Sequence, residues 1–148
     1  MLIDKKDLPL VAMEFMNEVH EEDLEIINET FRLVLAYENE PNKSNKENIS
    51  VQYQKWFHHT VEHFQGEEVK MKALNFPPYA FHKSEHDHTL AQMDEVFRQW
   101  NMSNDIKILK TYFIEVLPQW LIQHIQSMDT VTADFFATGK SPCSAGVC

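Results

Sequence analysis

The sequence predicts an all-α protein, an antiparallel up-down four-helix bundle, on three observations. Apolar residues recur every three or four positions over four long stretches. Glycine occurs only 3 times and proline only 6, which is little turn material for an all-β fold. The stretches are separated by two short breaks and one longer one, so consecutive helices should be antiparallel neighbours. With 148 residues, 43% of them hydrophobic and 24% charged, the chain fits one domain around a single core.

The first stripe consists of Met13, Met16, His20, Leu24, Ile27, Phe31 and Val34. Asp7-Leu8-Pro9 precedes it and predicts a helix start there, with proline near the first turn. Residues 38–48, ENEPNKSNKEN, are polar, contain proline and read as a loop. A second helix is expected from Ser50 as N-cap, with Tyr53, Trp56, Thr60, His63, Glu67, Met71 and Leu74 along one side. Phe76-Pro77-Pro78 ends it, because two successive prolines cannot sit inside a helix. The third helix is expected from about Tyr79 to Trp100, burying His82, His86, Leu90, Met93, Phe97 and Trp100. A polar break, residues 101–105, offers Ser103 or Asn104 as the next cap. The fourth helix carries Ile106, Leu109, Phe113, Leu117, Trp120, His124, Met128, Val131 and Phe135. Pro118 within it should kink or break it. The bundle is therefore expected over residues 1–136, with 137–148 as a flexible tail.

A formal charge of -10 argues against nucleic acid or an anionic membrane surface as partner, since no basic patch or basic helix is available. No apolar run approaches bilayer length. The opening residues, MLIDKKDLPLV, lack the apolar core of a signal peptide, so the expected location is cytoplasmic. Cys143 and Cys148 both fall in the expected tail, where they cannot frame the fold; free thiols are the expectation.

Polar residues interrupt the apolar stripes. His20, His63, Glu67, His82, His86 and His124 all hold positions that should point inward. A buried carboxylate or imidazole without partners is costly, and a shared metal centre would satisfy all of them. His63 and Glu67 are four residues apart, about 40° on a helix surface, and His82 and His86 stand in the same relation. His58 and Glu68 fall about 140° from His63 and are expected to face water. His59 lies on the flank of the stripe and is expected to be half exposed, with a supporting role behind a metal ligand as the alternative. His88 lies about 200° beyond His86 and points to solvent. His124 and Asp129 are five apart, about 140° on a regular helix; either Asp129 reaches in from the flank or a π turn, the favoured reading, brings them into line.

The order of these pieces resembles the hemerythrin family: a lone histidine on the first helix (VHEEDLEIIN), HxxxE on the second (HFQGEE), HxxxH on the third (HKSEH) and HxxxxD on the fourth (HIQSMD). The resemblance covers roughly residues 10–136. It implies two iron ions (Fe2+/Fe3+) with an oxo or hydroxo bridge. His82, His86 and His124 would hold one iron, His20 and His63 the other, and Glu67 and Asp129 would span both. The iron with two histidines would keep an open position for O2. Phe64, Ile27, Trp120 and Ile125 match positions that line the family's apolar oxygen pocket. Gly66 inside the second helix departs from good helix composition, with close packing or a gap for gas entry as explanations.

Two functions follow from this resemblance. The first is reversible O2 binding for storage, delivery or sensing, or for protecting oxygen-sensitive enzymes; on this reading the protein is not an enzyme. The alternative is a di-iron enzyme acting on O2, peroxide or nitric oxide. Di-iron oxidases built in bundles are rich in carboxylates. An imidazole-rich set favours the ferrous state and suits the first function better. A purely structural bundle does not account for an inward-facing Glu67.

Overall fold

A computed structural model of the chain describes residues 1–139; Cys143, Cys148 and nearly all of the expected tail lie outside the described residues. The protein is an all-α bundle, as the periodicity predicts, with no strand among the described residues. Its helices are α1 (Glu14–Asn39), α2 (Lys43–Ala73), α3 (Tyr79–Ser103) and α4 (residues 106–138). Each packs on the next, and α4 returns to pack on α1, so the four close around one interior. No described helix is long and apolar enough to cross a membrane.

Where boundaries differ from expectation, side chains explain it. The first helix does not start at Asp7-Leu8-Pro9. A short 3-10 turn, Lys5–Asp7, stands there, and α1 begins only at Glu14. Asn17 on the first turn of α1 accepts from the Val11 N–H at 2.9 Å and donates to the Val11 carbonyl at 3.0 Å, pinning the incoming chain against the helix. The second helix starts at Lys43, about two turns before Ser50. Asn42 is its cap, accepting from the Asn45 N–H at 2.8 Å, and Ile49 is fully buried in the added segment. At the end of α3, Asn104 adopts the left-handed conformation (φ 56) and closes the helix, while Asp105 caps α4 by accepting from the Lys107 N–H.

α4 is one helix broken twice into wider turns, Tyr112–Val116 and Ile125–Asp129. The first precedes Pro118. Proline has no N–H to give the carbonyl four residues back, and the wider turn absorbs the mismatch. The second is the π turn expected between His124 and Asp129. α4 ends at Thr138, two residues beyond the expected limit. Gly139 (φ 69) caps it, its N–H reaching the Phe135 carbonyl at 2.7 Å.

The interior is layered along the bundle axis. At one side lies an aromatic core in which the Tyr53 ring stacks on Phe97 and meets Trp56 edge-on, and the Tyr53 hydroxyl donates to the Met93 carbonyl at 2.8 Å. Trp100, Phe113 and Leu109 complete it with no solvent exposure. A smaller cluster of Met71, Phe76 and Phe135 fills the other end. Between them the helices turn a set of buried histidines and carboxylates inward, with Phe64 and Ile125 packed among them.

Candidate metal centre

That polar layer draws on all four helices: His20 from α1, His63 and Glu67 from α2, His82 and His86 from α3, His124 and Asp129 from α4. The four-residue spacings on α2 and α3 put both members of each pair on one face. On α4 the π turn does the same for residues five apart. All seven predicted residues come together, and each is at least nine-tenths buried by its side chain.

They fall into two groups that share the carboxylates. One is Glu67, His82, His86, His124 and Asp129; the other is His20, His63, Glu67 and Asp129. In each, the donor atoms lie within 4.8 Å of one another. Glu67 points Oε2 at His63 Nε2 (2.9 Å) and Oε1 toward His86 Nε2 (3.4 Å) and His82 Nε2 (3.6 Å). Asp129 divides itself likewise. Its Oδ2 is 2.9 Å from His20 Nε2, and its Oδ1 is 3.1 Å from His124 Nε2 and 3.2 Å from His82 Nε2.

The Nε2 atoms of His82, His86 and His124 and the inner oxygens of Glu67 and Asp129 are fully buried, and none makes an aligned hydrogen bond. Five such atoms at one point would be expensive if nothing joined them. Imidazole nitrogen and carboxylate oxygen are ligands for iron or zinc, and a metal ion at each group would satisfy the whole layer. The residues present fit a two-metal centre.

The outward ring nitrogens are held separately. Nδ1 of His82 meets the Thr132 hydroxyl (2.8 Å), Nδ1 of His86 meets Glu68 (2.9 Å) and Nδ1 of His124 meets Glu85 (3.2 Å). Such partners set the tautomer and leave Nε2 free to face inward. Phe64 stacks flat on the His86 ring at 3.9 Å, and Trp120 on His124 at 4.7 Å, fixing the ring planes.

Within the layer, histidines and carboxylates shift one another's protonation. Burial alone would push the Asp129 carboxyl up, but His124, His20 and His82 around it hold it well below the usual carboxylate range. Burial and the Asp129 charge would raise Glu67; His63 and His86 bring it below its ordinary value instead. Burial would lower His124, yet Asp129, Glu85 and Glu67 raise it to about 9. His63 likewise rises well above an ordinary histidine, against its burial, because Asp23 and Glu67 flank it.

Beside the layer is a cavity of about 20 Å³, lined by Ile27, Trp56, Phe64, Met93, Leu117, Trp120 and Leu121 with Asp23, Thr60 and Thr89 among them. That is room for roughly one water-sized molecule. Ile27, Phe64 and Trp120 line this cavity. Ile125 is fully buried and does not line it; on α4 the lining comes from Leu117, Trp120, Leu121, His124 and Asp129. The Thr89 hydroxyl, also lining the cavity, has no aligned partner.

His58 and His88 face solvent as expected. Glu68 does not: its side chain is 14% exposed and reaches His86 across the α2–α3 seam. A helical angle measured on one helix ignores the neighbour that covers its flank. Glu85, partly exposed on α3, turns to His124 across the α3–α4 seam. Asp23 was not legible as a site residue, although it stands three positions after His20 on the same stripe; it is buried against His63 and His59. Gly66 is exposed, with nothing within 4 Å of where a Cβ would stand, so close packing does not explain it.

Two curated proteins are similar to this chain, both named Bacteriohemerythrin. The one from Aquifex aeolicus (strain VF5) is 26% identical over 133 residues, 90% of this chain and 96% of that protein. The one from Ralstonia nicotianae (strain ATCC BAA-1114 / GMI1000) is 35% identical over 79 residues, 53% of this chain and 56% of that protein. No family model and no solved structure matches the chain.

Proposed function

The chain is a hemerythrin-family protein, and we propose that it is a non-haem di-iron protein that binds O2 reversibly. One observation carries the reading: two groups of buried donors share Glu67 and Asp129, one group with three imidazoles and the other with two. His82, His86 and His124 would hold one ion, His20 and His63 the other. When bound, the iron pair supplies the redox change and the open coordination position that reversible O2 binding needs. The protein's part is to hold that pair and keep it dry.

Thr132, Glu68 and Glu85 keep the outer ring nitrogens occupied, so that Nε2 of each ring stays directed inward. Imidazoles outnumber carboxylates five to two among these seven residues, a set suited to ferrous iron rather than to high-valent oxidation. The apolar wall of Ile27, Trp56, Phe64 and Trp120 excludes water from the space beside the ions, which favours release of O2 over its further reduction. A cytosolic role in storage, sensing or protection belongs to the same proposal.

A visible spectrum tests it. The protein is loaded with Fe2+ without oxygen, exposed to O2, then deoxygenated. Charge-transfer bands that appear and then vanish on deoxygenation are expected; permanent oxidation after one exposure would sink the carrier reading.

One observation favours the alternative, an enzyme acting on O2, peroxide or nitric oxide. Asp23 brings a carboxylate to the cavity wall, and His59 behind it is half exposed, so the pocket is not wholly apolar. Repeated consumption of peroxide or nitric oxide by the loaded protein would decide for that reading.

A further inference from the structure

Asp23 follows His20 by three residues on α1 and is 5% exposed. Its Oδ2 lies 2.6 Å from His63 Nδ1 and its Oδ1 lies 2.6 Å from His59 Nδ1. His59 Nε2 is in turn 3.3 Å from the exposed Glu22 carboxylate. A carboxylate this buried survives only where cationic or N–H partners meet it, and here two rings on α2 do so from one side. The result is a clamp across the α1–α2 seam that ends on the back of a candidate metal ligand.

The clamp matters because the two donor groups are supported unequally. Each ring of the three-histidine group has its own Nδ1 partner: Thr132, Glu68 or Glu85. Loss of any one would leave two oriented rings. In the other group the His20 Nδ1 is buried with no hydrogen-bond partner, and the His63 Nδ1, which makes no aligned hydrogen bond, has the Asp23 carboxylate 2.6 Å behind it as an ion-pair partner. Loss of Asp23 would leave that group with no ring fixed from behind.

We propose that Asp23, steadied by His59, is the positioning residue for the ion at His20 and His63, holding His63 with Nδ1 outward and Nε2 toward the site. Retention of that ion depends on Asp23; retention of the ion at His82, His86 and His124 does not. The inference rests on the two-metal reading above.

The test is anaerobic Fe2+ binding by equilibrium dialysis on the full chain, with helical content checked by circular dichroism. Wild type is expected to bind two ions. Asp23→Ala is expected to keep one at unchanged affinity and to hold the second about 10–100-fold more weakly. Asp23→Asn, whose amide oxygen can still accept from Nδ1, should recover part of the loss, and His59→Gln should show a smaller one. In a His20→Ala background that retains only the other ion, adding Asp23→Ala should change nothing. Two ions at wild-type affinity in Asp23→Ala, or equal weakening of both in a folded variant, overturns the inference alone. Fewer than two ions in wild type overturns the two-metal reading and the inference with it.

Discussion

At the scale of single residues, each inward histidine carries a division of labour between its two nitrogens. Nε2 faces the carboxylates, while Nδ1 is hydrogen-bonded from a neighbouring helix at His82, His86 and His124 and lies 2.6 Å from the Asp23 carboxylate at His63. His63→Ala is therefore expected to lower iron content measured by elemental analysis, whereas His58→Ala, on the exposed face, leaves it unchanged; equal losses would contradict the assignment of faces. The raised His124 makes a second expectation. With its value at about 9, the ring carries a proton at pH 7 in the metal-free protein. A metal takes only the neutral ring, so loading must expel that proton. Fe2+ addition under argon in a pH-stat at pH 7 should release acid, and affinity should fall as pH is lowered. Loading with no proton release would show that His124 is already neutral or is not a ligand.

At the scale of elements, the decisive irregularity is the π turn Ile125–Asp129, which puts Asp129 on the same face as His124. A second irregularity is dispensable. Gly66 sits in ordinary helical backbone on an exposed face of α2 with open space around it. Gly66→Ala should stabilise the bundle by about 0.5–1 kcal/mol, because alanine loses less backbone freedom on folding. Urea unfolding monitored by circular dichroism checks this; a lower midpoint at equal slope would mean that the glycine is needed. Helix limits were less legible than helix existence. Asn42 and Asn17 act through hydrogen bonds whose partners depend on how the chain turns, and an asparagine in a polar run reads equally well as loop.

At the scale of the whole molecule, a polar layer interrupts the core between the Trp100 aromatic cluster and the Met71–Phe76–Phe135 end. Ion pairs among desolvated groups are by themselves a weak source of stability for that layer. Metal removal should therefore lower the melting temperature. An ion present at a hundredfold over its dissociation constant contributes about 2.7 kcal/mol per site, which in a domain of this size corresponds to a shift on the order of 5–10 °C. Anaerobic calorimetry with and without Fe2+ measures it, and coincident curves would argue that the layer binds no metal under those conditions.

Asp129 was reached as a site residue only through the HxxxxD resemblance, whereas the bundle, the order of its helices and six of the inward polar residues were readable from periodicity and spacing. Those features repeat along one helix, and a hydrophobic stripe must face a core whatever the neighbours are. The π turn was one of two ways to bring His124 and Asp129 together, the other being Asp129 reaching in from the flank, and the structure shows the turn. What only the packed structure decided is what stands behind the ligands. Glu68, Glu85, Thr132 and Asp23 lie on flanks that a single helix would leave in water or in undistinguished core. They become part of the site because an adjacent helix brings a histidine Nδ1 within about 3 Å, within hydrogen-bond reach. That proximity is a property of helix pairs, and no pattern within one helix encodes it.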